Sequence, residues 1–160
     1  MSTNTIAEHA ADRLARLGRD YEGIDFLRAI AAGELPPPPI AELLGFVIRD
    51  IKPGEVTFAM QPRLEHYNPL GMVHGGVTAT LLDTVVGCAV HSRLSRGTGY
   101  TTLDLQVRYL KPVSIRTGVV LATGAVVHLG RRTATADARL VQEETGALLA
   151  TATSSLLVLS

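Results

Sequence analysis

The sequence predicts an α+β fold in which a curved antiparallel sheet of about six strands wraps around one long central helix, preceded by an N-terminal helical arm. Three observations lead to this prediction. Apolar residues recur at three- and four-residue steps near the N-terminus, a nearly all-apolar segment lies mid-chain, and apolar and polar residues alternate after it. A helix as apolar as this one must bury most of its surface, and a sheet that wraps around the helix would bury it.

The composition predicts one globular domain. The chain has 160 residues, of which 46% are hydrophobic and 19% charged, so disorder is not expected and a sizeable core is. Its 15 basic and 15 acidic residues balance, and nothing indicates a nucleic-acid partner. The single cysteine, Cys88, suits a reducing compartment. Without a recognisable signal peptide or membrane span, we expect a cytoplasmic protein with no membrane partner.

The N-terminal arm is predicted to be helical from about Thr5 to Gly33 and to be broken at Gly18 and Gly23. Four consecutive prolines at 36–39 end any helix and favour an extended linker. We therefore divide the chain into residues 1–40, the arm and linker, and residues 41–160, the main domain.

In the main domain, the segments AELLGFVIRDI (41–51) and EVTFAMQP (55–62) flank Pro53-Gly54 and predict a hairpin. A helix follows from about Gly76 to Leu94. The clearest alternation is in TTLDLQVRYL (101–110), where Leu103 shares a predicted face with the apolar residues that follow it. The last three predicted strands are separated by turns at Gly130-Arg131 and at EETG (143–146), and they are GVVLATGAVVHL, TATADARLVQ and ALLATATSSLLVL.

Asp83 is the one residue from Gly75 to Val90 that is not apolar, glycine or threonine. An ionised carboxylate is costly to bury without partners, so it is either a structural aspartate with hydrogen bonds or a catalytic base or nucleophile. The glycines Gly75 and Gly76 are expected where the helix begins. Their free N–H groups could hold a developing oxyanion and leave room for a bulky substrate.

The spacing of these residues favours a dimer. Asp83 lies eight residues after Gly75, roughly 12 Å along a helix at ~1.5 Å per residue, and an aspartate side chain cannot span that distance. Two helices packed antiparallel about a twofold axis would bring Gly75 of one chain to Asp83 of the other. This predicts a site shared between two chains.

The segments NPLGMVHGG, TLLDTVVGCAV, TTLDLQVRYLKP and HLGRR, taken together, resemble the hotdog-fold acyl-CoA thioesterases, specifically the phenylacetate-pathway and 4-hydroxybenzoyl-CoA thioesterase-like group. The resemblance covers about residues 42–159. It implies hydrolysis of an acyl-CoA thioester to free acid and CoA. It further implies no cofactor, since coenzyme A is part of the substrate, and a homodimer that pairs again into a homotetramer, a dimer of dimers.

The resemblance also implies roles for individual residues. Asp83 would act as nucleophile or as base on water, and Gly75 would donate its backbone N–H to the thioester carbonyl. His74 would shape that turn, and Asn68 would position the water or the thioester. Thr102 would orient the water, with Thr101 as the alternative in register.

Contacts with CoA are assigned to a second set of residues. Arg131 and Arg132, in the turn after His128-Leu129-Gly130, resemble the family's phosphate-contacting position, although turn solubility explains two arginines nearly as well. Tyr67 could line an acyl pocket, with turn packing as the default interpretation. Arg108 and Lys111 are weaker candidates for the phosphates.

Other chemistries fit the sequence less well. The histidines His66, His74 and His91 lack the spacing of metal ligands, so no metal is predicted, and Cys88 is interpreted as a packed core residue. Two alternatives to hydrolysis stay open. One is a hotdog hydratase or dehydratase that acts on an enoyl thioester, and the other is an acyl-CoA-binding protein without catalytic activity.

Overall fold

The structure, a computed structural model, describes residues 12–159. Residues 12–18 are helical and are called α1. Short 3-10 turns lie at Leu64–His66 and Ile115–Thr117. The remaining elements are, in chain order, α2 (Gly23–Ala31), α3 (Pro39–Leu44), β1 (Phe46–Lys52), β2 (Glu55–Met60), α4 (Gly75–His91), β3 (Gly99–Tyr109), β4 (Val120–Leu129), β5 (Thr133–Gln142) and β6 (Leu148–Leu159).

The six strands form one antiparallel sheet in the order β1-β2-β4-β5-β6-β3, and α4 packs across it. The core lies between them, because the helix residues that meet the sheet are fully buried. These residues are Leu81, Leu82, Val85, Val86 and Val90. At Gly124 on β4 even a Cβ atom would overlap the backbone of Val85, so glycine is what lets the helix lie this close to the sheet. The predicted α+β architecture is confirmed.

The hairpin around Pro53-Gly54 and the turns at Gly130-Arg131 and 143–146 are confirmed. The prediction of an extended segment from Ala41 is wrong, because Pro39–Leu44 forms α3 and the first strand begins only at Phe46. Pro39 is the first residue of α3, where its fixed φ suits a helix and its missing N–H costs nothing. Gly45 then ends α3 with φ 69°, a conformation that favours glycine.

The predicted alternation in β3 is wrong at one residue. Thr102 pairs with Leu156 and Asp104 with Ser155 on β6, so Leu103 is an extra residue in a β-bulge. The bulge turns the Leu103 side chain outward, with 56% of its surface exposed, and Thr102 faces the helix instead. Beyond the bulge, Leu105 and Val107 pack against the core as predicted.

The helical arm is interrupted between residue 18 and Gly23, which confirms the predicted break. Its predicted start, at Thr5, lies outside the described residues. A small apolar cluster of Leu14, Ala29 and Leu35 holds α1, α2 and the start of the linker together. Within residues 12–159, no helix is long and apolar enough to cross a membrane.

Candidate active site

The Asp83 carboxylate lies half-buried near the middle of α4, with one polar neighbour. The hydroxyl of Thr102 donates a hydrogen bond of 3.0 Å to Asp83 Oδ1. Among residues 12–159 the other oxygen, Oδ2, accepts no hydrogen bond. The carboxylate is therefore oriented by Thr102 and keeps one oxygen for a ligand. Thr101, the alternative in register, points outward and is exposed.

The turn before α4 is arranged around the N–H of Gly75. His74 caps the helix, because its Nδ1 accepts a hydrogen bond of 2.8 Å from the Gly76 N–H. His74 in turn donates its own N–H to the His66 carbonyl, at 2.7 Å. Within the described part of the chain, the Gly75 N–H has no hydrogen-bond acceptor. It is a free donor at the positive end of a 17-residue helix.

Asn68 lies beside this turn. Its Oδ1 accepts hydrogen bonds from the N–H groups of Leu70 (2.9 Å) and Met72 (3.3 Å), which shape the loop. Within residues 12–159 the side-chain amide N–H₂ of Asn68 forms no hydrogen bond, so it is available to a ligand. Asn68 and Gly75 both line a cavity of about 330 Å³, so the structure brings these two predicted site residues together.

Tyr109 is a residue of this site that the sequence did not reveal. Its hydroxyl donates a hydrogen bond of 2.8 Å to the Gly75 carbonyl, which fixes the peptide next to the free N–H. A Cβ at Gly75 would lie 3.2 Å from the Tyr109 ring, so the two residues fit closely. No sequence signal could have found this contact, since it joins positions 34 apart on a helix and a strand.

The two groups of residues are at different points on α4. Asp83 lies eight helical residues beyond Gly75, which at ~1.5 Å per residue is roughly 12 Å, and Thr102 lies beside Asp83. The α4 helix lies along β3 so that Tyr109 marks the Gly75 end and Thr102 the Asp83 position. The carboxylate and the free N–H of one chain therefore cannot contact the same carbonyl group.

Arg131 and Arg132 are exposed in the turn between β4 and β5 and lie outside the cavity at Gly75. Neither side chain forms an ion pair within residues 12–159. The strand register puts this turn at the Asp83 end of the sheet, because Leu157 pairs with both Thr133 and Thr101.

Tyr67 does not line the cavity at Gly75, and its hydroxyl accepts the N–H of Ile115 at 2.8 Å. Lys111, a weaker candidate in the sequence, does line it.

The histidines have separate surroundings. His66 accepts the Arg63 N–H at 3.2 Å, His74 caps α4, and His91 is enclosed by Phe26 and Tyr100. No group of three or more potential ligands that could hold a metal occurs in residues 12–159. Burial, followed by the nearby Asp83 charge, raises the pKa of the Cys88 thiol to about 12, so the thiol stays protonated and is a poor nucleophile.

Comparison with known proteins identifies the family. A family model described as the thioesterase superfamily matches residues 70–148. Human acyl-coenzyme A thioesterase 13 is 33% identical over 98 residues, which cover 61% of this chain and 69% of that protein. The chain belongs to the thioesterase superfamily. Its predicted class, a hydrolase acting on thioester bonds, is confirmed.

Solved structures agree with the family. A phenylacetic acid degradation-related protein from Ralstonia eutropha JMP134 is 28% identical, with a TM-score of 0.74 over 82% of this chain and 98% of its own. A protein from Streptococcus mutans UA159, solved with acetyl-CoA bound, is 28% identical, with a TM-score of 0.64 over 71% of this chain and 87% of its own. The predicted hotdog fold of this thioesterase is confirmed.

Proposed function

We propose that this thioesterase hydrolyses an acyl-CoA thioester to a free acid and CoA, with no cofactor, at a site assembled from two chains. The observation that carries the proposal is the pair of unused groups on α4, the Gly75 N–H and the Asp83 carboxylate held by Thr102. Two related proteins support CoA as the thiol of the substrate. One is named an acyl-coenzyme A thioesterase, and the other was solved with acetyl-CoA bound.

These groups are sufficient for the chemistry. The thioester carbonyl oxygen accepts the Gly75 N–H, and negative charge that develops there is stabilised by this donor and the helix dipole. Asp83 either attacks the carbonyl carbon and expels the CoA thiolate, forming an anhydride that water then hydrolyses to the free acid, or it takes a proton from a water that attacks the carbonyl directly. Asn68 places the water or the thioester. The thiolate of CoA is a good leaving group, so no strong general acid is needed.

The edge of the sheet supports a dimer. β3 lies at an edge, and within residues 12–159 it pairs with β6 alone, so its other side presents unpaired backbone groups. Large apolar side chains on and just after this strand are about half exposed, namely Leu103 (56%), Tyr109 (53%) and Leu110 (49%). A second copy of β3, paired antiparallel, would cover both the backbone groups and these side chains.

One register of two paired β3 strands would bring Asp83 of one chain to Gly75 of the other. If Gln106 of one chain faces Gln106 of the other, Leu105 faces Val107, and Asp104 with the bulged Leu103 faces Arg108. Thr102 then lies opposite Tyr109 of the partner subunit. Since Thr102 binds Asp83 and Tyr109 binds Gly75, this register brings the carboxylate of one chain to the free N–H of the other.

The side of α4 away from the sheet supports close packing of two helices. It carries Gly76, Ala79, Thr80 and Thr84, all small residues that are not fully buried. The Thr80 and Thr84 hydroxyls are bonded to the helix backbone at 2.8 Å, which leaves their methyl groups for contact. Two copies of this face could approach closely enough to share substrates between them.

The four candidate substrate-binding residues have different surroundings. Arg131 and Arg132 have unpaired guanidinium groups at the Asp83 end of the sheet, which supports a role with the CoA phosphates. Gly76 stays a proposed substrate contact, but a Cβ there would lie 2.9 Å from His74 Nδ1, so the glycine also serves the cap. Tyr67 has a structural hydrogen bond and supports the loop. The homotetramer and the cytoplasmic location stay predictions.

The direct test of the activity is thiol release from a panel of aryl, short-chain and medium-chain acyl-CoAs by the wild type and Asp83→Ala. Loss of a general base or nucleophile lowers kcat by about 10²- to 10⁴-fold. Equal rates for the two proteins would remove Asp83 from the mechanism. The absorbance of an enoyl-CoA, followed in the same samples, would reveal a hydratase if it changed without thiol release.

The shared site is tested by mixing two inactive chains. A heterodimer of Asp83→Ala and Gly75→Val contains one site with both defects and one with neither, so it should regain about half of the wild-type activity per dimer. Each homodimer should stay inactive, because each of its sites has one defect. Heterodimers that form and remain inactive would place both groups within one chain.

A further inference from the structure

A second cavity, of about 460 Å³, lies between the N-terminal arm and the main sheet. Its volume is within the range of pockets that hold small molecules. On the arm side it is lined by Phe26, Ile30 and Ala31 of α2 and by the linker prolines at 36–38. On the other side it is lined by α4 and by Tyr100 of β3. The catalytic steps proposed above use no residue of this lining, although Thr84 also belongs to the α4 face proposed to pack against a second copy.

Asp83 does not line the cavity but lies close to it, because its charge contributes to the raised pKa of two lining residues, Cys88 and Tyr100. Thr84, which lines it, directly follows Asp83, and its hydroxyl is bonded to the Thr80 carbonyl, so it presents a methyl group. Cys88 and His91 line the cavity at the next two turns of the same helix face. From Thr84 to His91 the cavity follows α4 for roughly 10 Å, in the direction away from Gly75.

The lining has no charged side chain. Aspartate, glutamate, lysine and arginine are all absent from the residues around this cavity within the described chain. Burial lowers the pKa of His91 and raises that of Tyr100, so both are neutral near pH 7. The phosphates of CoA would lose their hydration here without a cation to replace it. Only the apolar end of a substrate suits such a cavity.

The arm that borders the cavity is held by backbone contacts near the end of α4. The Gly23 N–H donates a hydrogen bond of 3.0 Å to the Leu94 carbonyl, just beyond the end of α4. A Cβ at Gly23 would overlap the His91 carbonyl, so α2 meets α4 backbone to backbone. The Glu22 carboxylate also accepts the Arg96 N–H, at 3.3 Å. The cavity is thus bounded by docked elements on both sides.

We propose that the arm and linker complete the binding pocket for the acyl group, and that this pocket selects substrates with an apolar acyl group of several carbons over acetyl. The inference rests on the proposed function, because it places the thioester carbonyl at Asp83. From there the acyl group extends along Thr84, Cys88 and His91 toward α2. CoA leaves the carbonyl in the opposite sense, toward solvent. The arm is then a specificity element of the enzyme.

The proposed pocket predicts how kcat/KM depends on the length of the acyl chain. Burial of one methylene contributes about 0.8 kcal/mol, which is about fourfold in kcat/KM. For straight-chain acyl-CoAs longer than acetyl, kcat/KM of the wild type should rise by about this factor per added methylene until the cavity is full. A flat profile from acetyl upward would overturn the proposal.

A tryptophan in the pocket wall should shorten the preferred chain. Ala31 and Ala32 are both exposed, but only Ala31 lines the cavity, so Ala31→Trp and Ala32→Trp form a matched pair. Ala31→Trp should lower kcat/KM for the longer acyl-CoAs and so move the optimum to shorter acyl chains, and Ala32→Trp should keep the wild-type profile. On α3, Ile40→Trp and Leu43→Trp form a second such pair, in which only Ile40 lines the cavity.

The outcomes separate the two proposals. If long acyl-CoAs are cleaved and neither Ala31→Trp nor Ile40→Trp changes the chain-length profile, the pocket assignment is wrong and the hydrolytic function stands. If the wild type cleaves no acyl-CoA while its circular dichroism shows a folded protein, the proposed function fails and the pocket assignment with it. An equal shift in the control variants would also overturn the pocket assignment, because the effect would not depend on the cavity lining.

Discussion

Thr102 is the only side chain in the described structure that donates a hydrogen bond to Asp83, and the contact exists because of a local defect in β3. The bulge at Leu103 reverses the facing of the strand, so the hydroxyl of Thr102 and not the side chain of Leu103 meets the helix. A hydrogen bond to a charged group contributes about 1.5–3 kcal/mol, enough to hold the carboxylate in one orientation. Its orientation matters for catalysis if Asp83 attacks or deprotonates at a fixed point.

Replacement of Thr102 tests this positioning. Thr102→Val keeps the size of the side chain and removes the donor, so we expect kcat to fall by about 10- to 100-fold, with KM nearly unchanged. Thr102→Ser keeps the donor and should stay close to the wild type. Thr101→Val, on the exposed side of the strand, is the control. Steady-state thiol release measures all three, and a normal kcat for Thr102→Val would contradict the role.

His91 makes folding stability depend on pH. Burial lowers its pKa in the folded state, and neither ring nitrogen has a hydrogen-bond partner in residues 12–159. Below the pKa of an unfolded histidine, about 6.5, the unfolded state therefore binds more protons, and stability falls as the pH falls. The contribution is fully present above that pH.

His91→Phe, which keeps a ring beside Phe26 and Tyr100, should flatten this dependence. Urea unfolding at pH 7 and pH 5 measures it, as the difference in free energy of unfolding between the two pH values. The pKa of His66 is also lowered, so a smaller pH dependence remains in the variant. An unchanged difference between the two pH values would mean that His91 is not the titrating group.

At the scale of elements, the periodicity of apolar residues was sufficient to predict the strands of the sheet and the central helix. The strands from β4 to β6 begin and end within two residues of their predictions, since each alternates and is bounded by turn residues. It was not sufficient for α3, which has only six residues and too few turns to show a helical period. The β3 bulge was hidden for a related reason, because Thr and Leu are both common in strands.

The start of α4 provides a test at this scale. His74→Ala removes the acceptor for the Gly76 N–H and should lower the free energy of unfolding by about 1 kcal/mol, the usual cost of a lost cap. It should also lower kcat, because the Gly75 N–H is no longer held in place. His74→Asn offers another capping acceptor and should recover both quantities. Loss of stability without loss of kcat would show that the cap is purely structural.

At the scale of the whole molecule, the sequence was informative about the need for a second chain through a distance alone. The spacing of Gly75 and Asp83 excluded a site within one chain before any fold was known, and the regular α4 helix supports that reasoning. The arm cavity could not be predicted, because it is formed by segments from α2 to β3 that approach only in the folded chain. The β3 register proposed for a dimer could not be predicted either, since it depends on the bulge.

The proposed register can be tested by a single cysteine. In that register Gln106 faces its own copy across the twofold axis, and directly opposed Cβ atoms in antiparallel strands are about 4.5–5.5 Å apart, near enough for a disulfide after small shifts. Gln106→Cys should therefore form a covalent dimer on mild oxidation, seen on a non-reducing gel. Arg108→Cys is equally exposed but would face Asp104 of the partner subunit, so it should stay uncrosslinked. Crosslinking of Arg108→Cys in preference to Gln106→Cys would show that the register is different. Thr102 would then not face Tyr109 of the partner subunit, and the geometric basis for a shared site would be lost.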